Sequence, residues 1–177
     1  MIVIYFGSPY KTKDIGGACN AWITHLPDDA TICITDGDIL FLQSDYGDFI
    51  QQIINDNAEY DLIGAMTNRV GVEGHLVGGV FSNYFDMKFH KKQADRLRKK
   101  YNTEVKEADI VAGFCMIFNK HTWARVGGFK ENSVHFDGDF SRKVDSKAIA
   151  KGLYLYHHYR TDYDNVREAS SNYRHLL

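Results

Sequence analysis

The sequence is poor in the features that mark membrane, secreted or nucleic-acid-binding chains. No apolar run reaches the roughly 18 residues that a membrane-crossing helix needs. Cysteine is scarce: Cys19, Cys33 and Cys115 are odd in number, far apart and set among apolar residues. That pattern excludes a disulfide framework and zinc-ligand spacing, and reads as buried thiols in a reducing compartment. Charge of one sign is not in excess. Lys and Arg total 21 against 23 Asp and Glu, a net charge of −2, which provides no global field to attract nucleic acid. The first residues, Met1–Phe6, lack a basic n-region and read as a strand, not a signal peptide. Repeats, low-complexity segments and linkers are missing too. These absences predict one soluble, cytoplasmic domain, and 177 residues are enough for a real core.

What is present centres on Ile32–Phe41. An apolar, β-branched run reads as a strand buried in a sheet and ends in Asp36-Gly37-Asp38. If the chain stays extended, residues two apart point to one side, and the two carboxylates converge at the strand's carboxyl end. Ligands of open α/β sheets bind outside such ends. Gly37 lets a ligand approach the backbone, and paired carboxylates suit a hard divalent cation such as Mg²⁺ or Mn²⁺. The competing reading is an ordinary Asp-Gly turn.

The remaining elements follow in order. Ile2–Phe6 is a first strand, apolar throughout and so expected at the sheet centre. A helix from Ile15 to about Leu26 has Asp14 as its N-cap. Gly16 and Gly17 allow close approach of another backbone or of a phosphate, and Lys11 and Lys13 stand just before that helix end, as phosphate contacts or as solvated lysines. Thr31–Thr35 is a strand, Phe49–Asn55 a helix with its apolar face at Phe49, Ile50, Ile53 and Ile54, and Asp61–Thr67 a third strand. Residues 70–85 show no assignable pattern. Lys88–Tyr101 is a basic surface helix, either solvated or a patch for phosphates or an anionic membrane surface. Asp109–Asn119 reads as one long strand, Lys120–Val126 as a short helix, and Phe136 to about Lys151 as another, stopped by Gly152. Leu153–Tyr156 is a last strand, and 161–177 a polar tail.

Together these residues resemble the nucleotide-sugar glycosyltransferases of the GT-A fold, family-two type, over roughly residues 1–160. The resemblance rests on Ile15-Gly16-Gly17-Ala18-Cys19-Asn20 followed by the strand with Asp36-Gly37-Asp38, and on Ala112-Gly113-Phe114-Cys115-Met116-Ile117-Phe118 with Trp123-Ala124-Arg125-Val126-Gly127-Gly128-Phe129. It rests further on Phe136-Asp137-Gly138-Asp139-Phe140 with Arg142, and on His157. It implies a single-domain α/β/α sandwich with a mixed, mostly parallel sheet. Residues 1–67 would form the nucleotide and metal half and 105–160 the acceptor and catalytic half. It also implies transfer of a sugar from a UDP- or GDP-sugar to a glycan or other hydroxyl acceptor, with inversion.

By the same resemblance Asp36, Asp38 and His157 would hold Mn²⁺ or Mg²⁺, with His158 as the alternative to His157. Phe6, Gly7 and Ser8 would meet the nucleobase. Lys11, Lys13 and Arg160 would contact phosphates, and Asn20 and Gly37 would line the nucleotide site. Asp137 or Asp139 would be the general base. The chain departs from the family pattern in three places. One strand and one helix precede the double aspartate instead of several, Phe136 replaces an acidic residue, and Cys19 replaces an arginine. A nucleotidyltransferase of similar fold and a catalytically silent nucleotide- or glycan-binding domain are the alternatives.

Overall fold

A computed structural model describes residues 2–7, 14–133 and 135–158 of the chain, with 2–7 as backbone alone. Among the described residues seven strands form one mixed sheet: β1 (Ile2–Gly7), β2 (Thr31–Asp36), β3 (Ile39–Phe41), β4 (Leu62–Thr67), β5 (Val105–Glu107), β6 (Cys115–Asn119) and β7 (Lys147–His157). Their order is β1-β2-β6-β4-β7-β3, with β5 also on β7. Five helices accompany them: α1 (Ile15–Thr24), α2 (Tyr46–Asp56), α3 (Met87–Tyr101), α4 (Lys120–Arg125) and α5 (Phe136–Lys143). The coarse α/β expectation holds. The sheet is not mostly parallel, because only the β1–β2 and β4–β7 pairings are parallel, while β2–β6, β4–β6, β3–β7 and β5–β7 are antiparallel.

Alternation along β2 buries both faces of the sheet. Ile32 and Ile34 pack with Cys19 and Ile23 of α1, Trp123 of α4 and Phe140 of α5. Cys33 faces the other way, with Phe49, Ile50 and Ile53 of α2. Helices therefore cover both faces, as a strand that is apolar on both sides requires. The third helix lies across β7, burying His90, Ala94 and Leu97 beside Met66, Ile149 and Tyr154. All three cysteines are buried and unpaired.

Several elements differ from the sequence reading, each for a local reason. Among the described residues β1 pairs with β2 alone, so it lies at an edge, not at the centre. The long strand expected over 109–119 begins only at Cys115. The preceding amides are taken by side chains and not by a neighbouring strand: Val111 donates to Ser141 Oγ, Ala112 to His75 Nε2 and Gly113 to Asp137 Oδ2. The helix expected from Phe136 to Lys151 ends at Lys143. Residues 147–151 instead join β7, where pairing with β4 and β5 overrides their helix propensity. Residues 70–85 contain two short 3₁₀ turns, Glu73–His75 and Val77–Gly79.

Gly152 is thus not a helix stop but a strand residue. A Cβ built on it would lie 2.0 Å from the Asn102 carbonyl oxygen in the turn after α3. Backbone cannot yield as a flexible side chain can. Gly152→Ala is expected to destabilise the fold by about 1–3 kcal/mol, the range for overpacked sites. Urea unfolding of the variant checks this, and an unchanged midpoint would contradict the close packing.

Candidate metal centre

The sheet topology brings three chain segments to one edge. Asp36 ends β2, His157 ends β7, and the turn through Gly37 and Asp38 carries the chain between them into β3. The carboxylates do not converge through a continued strand, as the sequence reading supposed. A turn brings them together, fastened at both ends. The Asp36 N–H donates to the Phe114 carbonyl at 3.1 Å, and the His158 N–H donates to the Asp38 carbonyl at 2.9 Å. The turn reading and the metal reading of Asp-Gly-Asp are therefore compatible.

His157 is held on every side. Its ring Nδ1 lies 2.8 Å from the Arg69 carbonyl, which can only accept, so Nδ1 carries the proton. Asn68 brackets its backbone, accepting from the His157 N–H at 2.8 Å and donating to the His157 carbonyl at 3.3 Å. Phe114 stacks on the ring, with centroids 5.3 Å apart. The other nitrogen, Nε2, sits 3.2 Å from Asp38 Oδ1 and 3.6 Å from Asp36 Oδ2. A donor hydrogen bond from one ring nitrogen to a backbone carbonyl is the usual support for a metal-ligating histidine.

One donor atom from each of Asp36, Asp38 and His157 lies within 4.8 Å of the others. The histidine is buried, and the carboxylate side chains are 46% and 41% exposed, open to a ligand from outside. Burial, opposed by the charge of His157 and reinforced by Asp38 and Asp137, pushes the Asp36 carboxyl up to about 6. Burial also acts to raise Asp38, but the hydrogen bond and charge of His157 outweigh it and hold that carboxyl below its ordinary value. Two carboxylate oxygens and one imidazole nitrogen form a donor set that suits a divalent cation, with further positions left for ligand oxygens and water.

The same place holds another carboxylate. A cavity of about 350 Å³ is lined by Asp36, His157 and Asp137, with Val70, Gly113 and His135 among its other walls. Asp137 Oδ2 accepts from the Gly113 N–H at 3.0 Å, which leaves Oδ1 for another partner. Only glycine permits this contact, since a Cβ on residue 113 would lie 2.5 Å from Asp137 Oδ2. Gly113→Ala is therefore expected to push Asp137 out of place. A Cβ there would also lie 2.7 Å from Asp137 Cβ, so the variant is expected to lose about 1–3 kcal/mol, the range for overpacked sites, which urea unfolding checks. A larger cavity of about 480 Å³, lined by Leu97, Tyr101 and Lys106 among others, has no such carboxylate pair.

Other residues singled out in the sequence fall elsewhere. Asp139 lies 3.5 Å from Lys130 Nζ and 3.4 Å from Arg142 Nη1 and does not line the 350 Å³ cavity. Asn20 is a brace: its Oδ1 accepts from Trp123 Nε1 and the Phe129 N–H, and its Nδ2 donates to the Phe129 carbonyl. Gly16 admits another backbone: a Cβ there would lie 2.2 Å from the Lys130 carbonyl oxygen. Gly37 lies in the Asp36–Asp38 turn. Gly7, described as backbone, pairs in register with Asp36, so the end of β1 adjoins the carboxylates. The side chain of Phe6, and Ser8, Lys11, Lys13, Arg160 and the 161–177 tail, lie outside the described residues.

Sequence reasoning missed Asn68 and the Arg69 carbonyl, which hold His157, and also His75. The buried His75 ring donates from Nδ1 to the Ala65 carbonyl and accepts the Ala112 N–H at Nε2, so it is neutral. Burial, against its hydrogen bond to Ala65, holds His75 down at about 4. It fastens β4 to the segment that carries Gly113. No periodic or motif signal marks these residues, because each acts through contacts distant in sequence.

A scan of the sequence against models of protein families finds no match, and a search among curated proteins finds none.

Proposed function

We propose that this chain is a metal-dependent glycosyltransferase, moving a sugar from a nucleoside-diphosphate sugar to an acceptor hydroxyl with inversion. The observation that carries the reading is the shared cavity. Asp36 and His157, two members of a cation-ready triad, line the same wall as a backbone-positioned carboxylate, Asp137. A pure binding site for a nucleotide would need the first feature but not the second.

When bound, a divalent cation supplies positive charge against the diphosphate of the leaving group. The residues of the chain do the rest. Asp36 and Asp38 provide oxygen ligands, and His157 provides Nε2, its direction set by Arg69, Asn68 and Phe114. Asp137 removes the acceptor's proton as the hydroxyl oxygen bonds to the anomeric carbon. The bond from that carbon to the phosphate oxygen breaks, and the nucleoside diphosphate leaves with the electron pair. A single displacement of this kind inverts the anomeric centre. The GT-A resemblance supports the reading, as do the neighbouring ends of β1 and β2 at Gly7 and Asp36.

The test is incubation of the purified protein with UDP- and GDP-sugars, Mn²⁺ and a panel of hydroxyl acceptors. Metal-dependent release of nucleoside diphosphate with an inverted glycoside is the expected product. Release of pyrophosphate from nucleoside triphosphates would favour nucleotidyl transfer. Binding of nucleotide with no turnover of any donor would favour the silent binding domain.

A further inference from the structure

Beyond the metal centre, the most unusual surface is the stretch that enters α3. Tyr84, Phe85, Met87 and Phe89 are 53%, 55%, 36% and 46% exposed within six residues. Isolated exposed apolar side chains need no explanation, but a contiguous group of this size marks an interaction site. The helix that follows buries His90, Ala94 and Leu97. Lys88, Lys92, Arg96 and Lys99, spaced three or four apart, share the opposite face and are all exposed. Eleven helical steps separate Lys88 from Lys99, which makes this stripe about 16 Å long. None of the four has an ion pair among the described residues, whereas Lys91 meets Asp95 and Arg98 meets Asp45.

We infer that this face seats the protein on an anionic bilayer surface. The aromatic wedge would enter the headgroup region and the basic stripe would lie along the lipid phosphates. Phenylalanine, methionine and tyrosine followed by lysine are the residue types that partition to this interface. These four cations line one helix face, with Asp95 the one carboxylate between Lys88 and Lys99, in a chain whose total is −2, and that local excess suits a planar anionic partner. A second copy of this chain fits poorly, because a two-fold contact would set the four cations against their own copies. Base stacking on single-stranded nucleic acid fits less well too. The Tyr84 and Phe89 rings pack edge to face at 4.9 Å, so they form a wedge and not an open platform.

The patch adjoins the metal centre. The Phe85 ring lies 6.1 Å from the ring of His158, next to the ligand His157, and the Arg69 guanidinium lies 5.7 Å from the Phe85 centroid. On the transferase reading, a chain seated this way would meet an acceptor hydroxyl carried at the membrane surface. The docking itself does not depend on that reading.

Sedimentation with vesicles tests it without any transfer assay. Vesicles of phosphatidylcholine alone are compared with vesicles containing about a third phosphatidylglycerol, at low and high salt. The protein is expected to sediment with the anionic vesicles at low salt and to be released at high salt. Neutralising one stripe residue, as in Lys92→Gln, should weaken binding roughly fivefold, and Lys88→Glu, Lys92→Glu, Arg96→Glu and Lys99→Glu together should abolish it. Tyr84→Ser with Phe89→Ser should weaken it roughly tenfold. If that pair fails to fold, the charge variants, which alter exposed side chains alone, still decide. No sedimentation of the wild-type protein with anionic vesicles would overturn the inference. So would retention unchanged by the fourfold charge reversal, or binding of a single-stranded oligonucleotide in place of vesicles.

Discussion

Asp137→Asn is expected to slow sugar transfer by about 10²–10⁴-fold, the usual contribution of a positioned general base. Binding of nucleoside diphosphate with Mn²⁺ should survive. Asparagine has the same shape, and its carbonyl oxygen can still accept the Gly113 N–H that holds Asp137 Oδ2 at 3.0 Å. It cannot take up a proton. Because the charge of Asp137 helps to raise Asp36, its removal should if anything ease ionisation of Asp36. Asp139→Asn is the control. That carboxylate is engaged by Lys130 and Arg142 outside the cavity, so its loss should change turnover only a few-fold, the scale of an exposed ion pair. Steady-state rates of the two variants side by side would decide between the two aspartates. The opposite pattern would move the base to Asp139.

Asp38→Ala is expected to remove metal-dependent nucleotide binding altogether. In the wild-type protein, thermal unfolding against UDP or GDP should show a stabilisation that needs Mn²⁺. A ligand bound to the native state alone contributes about 2.7 kcal/mol at a hundredfold excess over its dissociation constant. The variant loses one of three ligand groups and the partner that lies 3.2 Å from His157 Nε2, so the Mn²⁺-dependent shift should vanish. The shift should also weaken in the wild-type protein as pH falls from 7 to 5. The sign follows from Asp36, whose carboxyl lies at about 6: below that value a proton competes with the cation for the same oxygens. A full shift in Asp38→Ala with Mn²⁺ would remove Asp38 from the cation site.

Neighbouring residues alone specify the local pieces. The apolar run of β2 and the acidic turn after it were legible because both depend on neighbouring residues: alternating burial of Ile32, Cys33 and Ile34, and the turn chemistry of Asp-Gly-Asp. Helix α2 was legible from the spacing of Phe49, Ile50 and Ile53, and α1 from Asp14, whose carboxylate caps the Gly17 N–H at 2.8 Å. His157 and Asp137 are legible in the sequence only through the order of motifs that carries the resemblance.

Tertiary structure alone decided where these pieces meet and which side chains support them. Residues 147–151 have helix-forming side chains, yet partners on both sides make them strand, since ladder bonds and burial outweigh a few tenths of a kcal/mol of propensity per residue. Residues 111–113 are apolar enough for a strand. They are not one, because Ser141, His75 and Asp137 take their amides first. The side chain of His157 is turned toward Asp36 and Asp38 by a carbonyl 88 residues earlier in the chain, that of Arg69. Local pattern reports what a segment can become. Hydrogen bonds between segments far apart in sequence, which no local pattern encodes, decide which carboxylate lines the cavity and which ring nitrogen faces Asp36 and Asp38.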